Sequence, residues 1–315
     1  MIEIKILKKH LACIYRKNHR HHGDCGIVAF QSQLLKWYKK HKRDELPWRF
    51  TSRHPVSAYE ILVSEIMLQQ TQVPRVLDKF PKFIRTFPTV GHLARAPLDT
   101  VLREWQGMGY NRRALYLKTC AQETMKRFNG TIPSDSLVLK TLPGIGPYTA
   151  GAVSCFAFNA PTVFLDTNIR KFFIHYFFAD KNIQQKISDA EILPIAERLL
   201  YKKNPRVWNY ALMDYGALVL SGKRDLLSRA KNYHKQSPFL GSNRFFRSQV
   251  VQYLLTHKKA GFDELQRASP RDISPILDSL CNEGLIEKNK KGTYRISNFS
   301  GRPSDPIARA VKIHT

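Results

Sequence analysis

Cysteine is scarce in this chain: there are five in 315 residues, at Cys13, Cys25, Cys120, Cys155 and Cys281, with no C-x-x-C spacing. That excludes a disulfide framework and a cysteine metal knuckle, and it implies reduced thiols in an intracellular, cytoplasmic protein. Long apolar runs are missing too, since none approaches the ~20 residues that cross a bilayer, and the apolar stretch 11–15 is too short for an export signal. Acidic residues are few: 25 Asp+Glu stand against 51 Lys+Arg, a formal charge of +26. Such a surplus points to a polyanionic partner, nucleic acid first, because no helix sets a basic face against a bare apolar one as membrane binding would need. No membrane partner is expected. Internal repeats and low-complexity segments are absent.

What is present is a succession of helices and turns in a mainly α chain. Residues 1–26 carry the cluster Arg16-Lys-Asn-His-Arg-His-His-Gly23 and read as a flexible basic leader, with metal binding by the histidines as the weaker alternative. Helical spacing of apolar residues begins at 27–41 and recurs at 58–70, 76–87, 98–105, 112–128, 148–158, 169–178, 189–200 and 207–220. The stretch 221–238 is polar and basic, and it marks a domain boundary. Beyond it, helices at 244–257, 262–267 and 272–283 lead to a ribbon of 285–288 and 291–296, the order of a winged helix. The expected organisation is therefore a leader 1–26, a helical domain 27–222, a basic linker 223–238, a winged-helix-like domain 239–298 and a tail 299–315.

Three stretches carry candidate chemistry. In Leu142-Pro-Gly-Ile-Gly-Pro-Tyr-Thr-Ala-Gly151, two glycines precede a helix start, so Gly144 and Gly146 can present backbone N–H groups to a phosphate, or simply connect two helices. Glu65 lies on a helix that is apolar almost all round, with Gln69 and Gln72 below it on the same face. Either this is a solvated stripe, or it is an acid whose apolar setting raises its pKa and suits it to proton donation. Asp166 stands before a helix as Asp-Thr-Asn, as an ordinary N-cap does. Two acids and a phosphate-binding hairpin in one strongly basic chain suggest two-carboxylate glycosidic chemistry on nucleic acid.

Leu46-Pro-Trp-Arg49, Ser64-Glu-Ile-Met-Leu-Gln-Gln-Thr-Gln-Val73, Phe87-Pro-Thr-Val90, Trp105-Gln-Gly-Met-Gly-Tyr110, the hairpin, and Leu165-Asp-Thr-Asn168 occur in that order. Together they resemble the helix-hairpin-helix (HhH-GPD) DNA glycosylases, and within them the adenine glycosylases of the MutY type. The resemblance covers roughly residues 30–220. It implies a two-lobed helical fold and a monofunctional enzyme of base excision repair that removes adenine mispaired with 8-oxoguanine or guanine. Glu65 would protonate the flipped adenine and Asp166 would stabilise the sugar cation. Tyr148 stands where bifunctional lyases of the superfamily have a lysine, so no strand cleavage is implied. Gln69 and Gln70 match the segment that fills the stack, Tyr110 the wedge beside the opposing base, and Asn168 a support of Asp166. Arg49, Leu142, Gly144 and Gly146 complete the expected DNA contacts. Packing or plain exposure is the alternative reading for Gln69, Gln70 and Tyr110.

The chain departs from that pattern twice. After Met213-Asp-Tyr-Gly-Ala217 no cysteine follows until Cys281, so the iron–sulfur cluster usual in the family is expected to be absent. No cofactor or metal is expected, and Lys223, Arg224, Arg229, Lys231, Lys235, Arg244 and Arg247 would take over the cluster loop's contact with the DNA backbone. The C-terminal module is also too small and too helical for the Nudix-like domain that reads 8-oxoguanine. A monomer bound to duplex DNA carrying a mismatch or oxidative lesion is expected, with a protein partner of the winged helix as an open possibility. Two alternatives stand beside this reading: a thymine or uracil mismatch glycosylase of the same fold, and a non-catalytic winged-helix DNA-binding protein.

Overall fold

Apolar residues spaced for helices fold as helices. A computed structural model describes residues 20–298 except 53, 180–183, 224, 232, 234, 235 and 268. Most of the expected leader and the whole tail 299–315 lie outside the described residues.

Contacts divide the chain into two compact units, the described parts of Met1–Leu46 with Ser154–Lys235, and of Pro47–Val153 with Gln236–Thr315. The first contains α1 (Arg20–His41), which starts within the stretch read as leader and ends on Lys39, Lys40 and His41, charges that suit a helix C-terminus. It also contains α9 (Thr167–Phe177), α10 (Asp189–Leu199), α11 (Pro205–Leu218) and the single turn α12 (Asp225–Ser228). Phe30 of α1 is the centre of its core: the rings of Phe172, Tyr176, Phe177 and Trp208 lie 5.8–6.4 Å away, mostly edge-on or tilted. Asp214 is fully buried and is held by Arg43, whose backbone N–H and Nε donate to it at 3.1 and 2.7 Å. A buried carboxylate is tolerable only with such charge-assisted bonds.

The second unit begins with α2 (Ala58–Leu68), opened by a capping box in which Ser57 and Glu60 each satisfy the other's backbone N–H. There follow α3 (Val73–Thr86), α4 (Val90–Arg95), α5 (Leu98–Glu104), α6 (Arg112–Phe128) and α7 (Ser136–Leu139). Then α8 (Pro147–Phe158) runs on across the division between the units. Helix α4 is not signalled by apolar spacing; at six residues it is too short for a period to register, and the N-cap Thr89 is its main mark. Fully buried Phe83, Trp105 and Leu115 form the core here. Lys118 is buried among them, closes the end of α4 by donating to the Ala94 carbonyl at 2.8 Å, and has its ammonium pushed down to about 8 by burial.

The C-terminal part of this unit is the winged-helix-like module: α13 (Asn243–His257), β1 (Lys259–Ala260), α14 (Phe262–Arg267), α15 (Ser274–Asn282), β2 (Ile286–Lys288) and β3 (Tyr294–Ile296). Its strands form an antiparallel sheet of order β1-β3-β2, with Lys259 opposite Arg295 and Ile286 opposite Ile296. The two-residue β1 is too short to read from sequence alternation. Arg103 of α5 donates to the Leu255 carbonyl of α13, tying the module to the helices before it. In the expected linker, Ala230 forms a parallel bridge with Ile187, and Arg229 is buried with Nη2 on the Phe178 carbonyl at 2.7 Å. Arg229 is therefore committed to the fold rather than to a DNA backbone, and Arg247 is spent similarly on Glu283 at 2.5 Å.

Candidate active site

Glu65 lies one turn before the end of α2 and is only 4% exposed. Its Oε2 accepts a hydrogen bond from the Tyr148 hydroxyl at 2.8 Å. Tyr148 is in the first turn of α8, immediately after the Gly-Ile-Gly hairpin, and the next residue, Thr149, accepts from Gln69 Nε2 at 3.2 Å. Two adjacent residues of the hairpin helix thus meet the end of α2. The stripe read from Glu65 through Gln69 to Gln72 is not a helical one, because α2 stops at Leu68, Gln69 is its C-cap, and Gln72 caps α3. Gln70 ends the helix with φ +53, a left-handed conformation that costs a non-glycine residue about 1 kcal/mol or more.

One residue that sequence reasoning missed organises this region. Arg113 donates through Nη1 to the carbonyls of Ile66, Met67 and Gln69 at 2.8, 3.0 and 2.6 Å. Its Nη2 reaches Thr71 Oγ1 and the Met108 and Gly109 carbonyls at 3.0, 3.0 and 3.2 Å. One planar guanidinium thereby satisfies carbonyls left over at the end of α2 and joins them to the 107–110 turn. Burial pushes it down to about 10, still protonated at neutral pH. Tyr110, next to that turn's second glycine, also has positive φ, +48, and is 37% exposed. An arginine three residues after a Gly-x-Gly-Tyr turn is the only trace of this clamp in the sequence, and it looks like any basic start of a helix.

In the hairpin the two glycines differ. Gly144 has φ +75, and a Cβ there would stand 2.6 Å from Tyr116 Cβ. Gly146 is outside the left-handed region, is exposed, and has no atom within 4 Å of its Cβ position. Of the two, Gly144 alone uses glycine's freedom to take positive φ. Leu142 is fully buried beneath the turn, and Arg49 is buried as well, at 3% exposure.

Asp166 belongs to the other unit. It is the N-cap of α9: Oδ1 accepts the Ile169 N–H at 2.6 Å and Oδ2 accepts from Asn168 Nδ2 at 3.1 Å. Burial raises its carboxyl above the usual range, and these bonds, with Arg170, oppose the shift. Gly216, from Met-Asp-Tyr-Gly-Ala, permits the approach of α11 to this loop, since a Cβ there would lie 2.3 Å from the Asn168 carbonyl oxygen. Asp166 is thus a half-buried N-cap that is also held by its neighbour's amide.

Residues 63–197 match the family described as HhH-GPD superfamily base excision DNA repair protein. The chain is 32% identical over 293 residues to the adenine DNA glycosylase of Mycolicibacterium smegmatis, covering 86% of this chain and 98% of that protein. The chain belongs to the HhH-GPD superfamily. Similarity to the adenine DNA glycosylases of Buchnera aphidicola (37% over 192 residues) and Homo sapiens (33% over 239) covers 61% and 72% of this chain, but only 53% and 44% of those proteins. Against these two the HhH-GPD chain spans about half the relative's length. Its fold is similar to a thermostable thymine-DNA glycosylase, with TM-score 0.54 and 26% identity over 65% of this chain and 92% of that one. The matched span contains Glu65, Tyr148 and Asp166, so both acids and the hairpin fall within the family's own segment.

Proposed function

We propose that this protein is a monofunctional adenine DNA glycosylase of base excision repair, hydrolysing the N-glycosidic bond of adenine paired with guanine or 8-oxoguanine in duplex DNA. Adenine as the released base rests on the adenine DNA glycosylases it resembles. The observation that carries the chemistry is the buried Glu65 carboxyl held by the Tyr148 hydroxyl at 2.8 Å. Glu65 gives its proton to N7 of the departing adenine, and the C1′–N9 electron pair leaves with the base. The sugar remains as an oxocarbenium ion. The Asp166 carboxylate, oriented by the Ile169 N–H and the Asn168 amide, stabilises that cation. Water then adds its oxygen at C1′ and releases its proton to a carboxylate. Tyr148 has no amine for a Schiff base, so the sugar–phosphate backbone stays intact.

The formal charge of +26 supports binding to the DNA backbone, and Gly146 offers it an unobstructed approach at the start of α8. We extend the reading to an enzyme without an iron–sulfur cluster. The donors present do not fit one: there is no cysteine between Cys155 and Cys281. Among the described residues, no three His, Cys, Asp or Glu are grouped to hold a metal. No helix among them is long and apolar enough to cross a membrane. We take the working form to be a cytoplasmic monomer on DNA, with the winged-helix module free to meet a protein partner.

Single-turnover base release from A·8-oxoguanine, A·G, T·G and U·G duplexes tests the proposal, with Glu65→Gln and Asp166→Asn as controls. Adenine release that both substitutions reduce by about 10³-fold or more is expected, a loss typical of removing an essential catalytic group. Release of thymine or uracil in place of adenine would move the assignment to a pyrimidine mismatch enzyme. No release of any base would leave a DNA-binding protein, and strand breaks without alkali would contradict the role of Tyr148.

A further inference from the structure

The sequence assigns no role in base recognition to the C-terminal module, yet Arg244 in its first helix, together with Gln236 just before the module, reaches two exposed left-handed residues of the same compact unit, Gln70 and Tyr110. Arg244, at the start of α13, donates from Nη1 to the Tyr110 hydroxyl at 2.9 Å, and its guanidinium carbon lies 5.6 Å from the Tyr110 ring centroid. Nη1 also donates to Gln236 Oε1 at 3.2 Å, and Nη2 to the Ser237 carbonyl at 2.6 Å. Gln236 Nε2 in turn donates to Gln70 Oε1 at 2.6 Å. The result is a directed chain, Arg244 to Gln236 to Gln70, with Arg244 also on Tyr110.

The direction of that chain has a chemical consequence. Arg244 can only donate, so Gln236 must turn its oxygen to Arg244 and its amino group to Gln70. Gln70 must then use its oxygen on Gln236, and its NH2 group is left as the outward function. The surface formed by Gln70 and Arg244 therefore offers donors. Donors pair with O6 and N7 of guanine, or with the carbonyl oxygens of 8-oxoguanine, and they meet the amino group of adenine or cytosine poorly. The location also suits a base. Gln70 follows α2, five residues beyond Glu65, and Arg113 joins the carbonyl of its neighbour Gln69 to the turn before Tyr110. Exposed donors this near the proposed proton donor are within reach of the base pair it acts on.

We propose that Gln236, just before the C-terminal module, and Arg244, in its first helix, set the opposite-base preference, orienting Gln70 and Tyr110 to select a purine with an acceptor edge, guanine or 8-oxoguanine. This rests on the glycosylase reading above. The test compares single-turnover adenine release from A·8-oxoguanine, A·G and A·C duplexes for the full-length wild type, Arg244→Ala, Arg244→Lys and Gln236→Ala, with melting temperatures to confirm folding. The expected result is a fall of about tenfold in the rate ratio of the guanine-type pairs to A·C for both alanine variants, the discrimination usual for one hydrogen-bonded base contact. Arg244→Lys, which keeps the charge but not the fork, should lose most of the ratio as well. A parallel fall for guanine and 8-oxoguanine would assign the contact to their common O6 edge; a fall for 8-oxoguanine alone would assign it to O8. If folded alanine variants lose rate equally on all three duplexes, or keep the wild-type ratio, the inference fails while the glycosylase reading stands. If the wild type releases no adenine from any duplex, the glycosylase reading itself fails.

Discussion

The two acids are held by opposite means. Glu65 sits within the last turns of an apolar helix, enclosed by packing and touched by a phenol. Asp166 sits just ahead of a helix and is held by a backbone N–H and an amide. The first setting orients the carboxyl through the Tyr148 hydroxyl, which suits a group that must aim a proton. The second points donors and the positive end of α9 at the carboxylate, which suits a group that must face a cation while charged. In the proposed mechanism these two settings go with two roles, Glu65 as proton donor and Asp166 as the anion facing the sugar cation.

Exchanging charge for an isosteric amide should separate the two most strongly. Glu65→Gln and Asp166→Asn should both remove activity, but they should differ in stability. Asp166 has a raised pKa in the folded state, so the folded protein binds the proton more tightly than the unfolded chain does. Above that raised value the carboxylate lowers stability, and stability returns as pH falls through it. Asparagine is as good an N-cap and carries no charge. Asp166→Asn should therefore melt higher than wild type at pH 7 and lose the rise in stability that wild type shows on acidification. A calorimetric pH series reads both, and a lower melting point at pH 7 would contradict the burial of this carboxyl. For activity the sign is opposite: the rate should drop as pH falls through the same value, because the anion is the working form.

Arg113 is the corresponding test for the frame around Glu65. Arg113→Ala leaves carbonyls of Ile66, Met67, Gln69, Met108 and Gly109 without their donor. A loss of about 3 kcal/mol is expected, the range for charged hydrogen bonds broken on one side. Chemical denaturation measures it, and a change below about 1 kcal/mol, within the range of one ordinary hydrogen bond, would mean that the two turns hold themselves.

How much of this was legible in the sequence follows the length scale of each feature. Helices such as Arg112–Phe128 and Phe262–Arg267 lie where apolar spacing places them. The motif order led to the family, and the order of the C-terminal elements led to the winged helix. Single turns and pairs such as α4 and β1 are shorter than any period. The end of α2 was misplaced because Gln69 and Gln70 are good helix formers; the break comes at left-handed Gln70, next to the Gln69 carbonyl that Arg113 holds, a contact 44 positions away that no local rule contains. The Gln236–Gln70 bond spans 166 positions and is equally invisible. Burial also decides what composition cannot: Arg49 and Arg229 count toward the basic charge, yet both are enclosed.

The smallest effect sharpens the difference between fold and ligand within the hairpin. Gly144→Ala puts a Cβ 2.6 Å from Tyr116 in a left-handed backbone and should cost about 2 kcal/mol. Gly146→Ala meets no atom within 4 Å, and its stability should stay within about 0.5 kcal/mol of wild type, as for an unobstructed surface change. Its Cβ instead occupies the space through which a phosphate would approach the N–H groups that open α8. DNA affinity should therefore fall severalfold for Gly146→Ala at unchanged melting temperature, measured by fluorescence anisotropy at fixed salt, since backbone contacts are salt-dependent. Unchanged affinity would mean that the open side of the hairpin faces solvent only, and that Gly146 is present for the turn rather than for DNA.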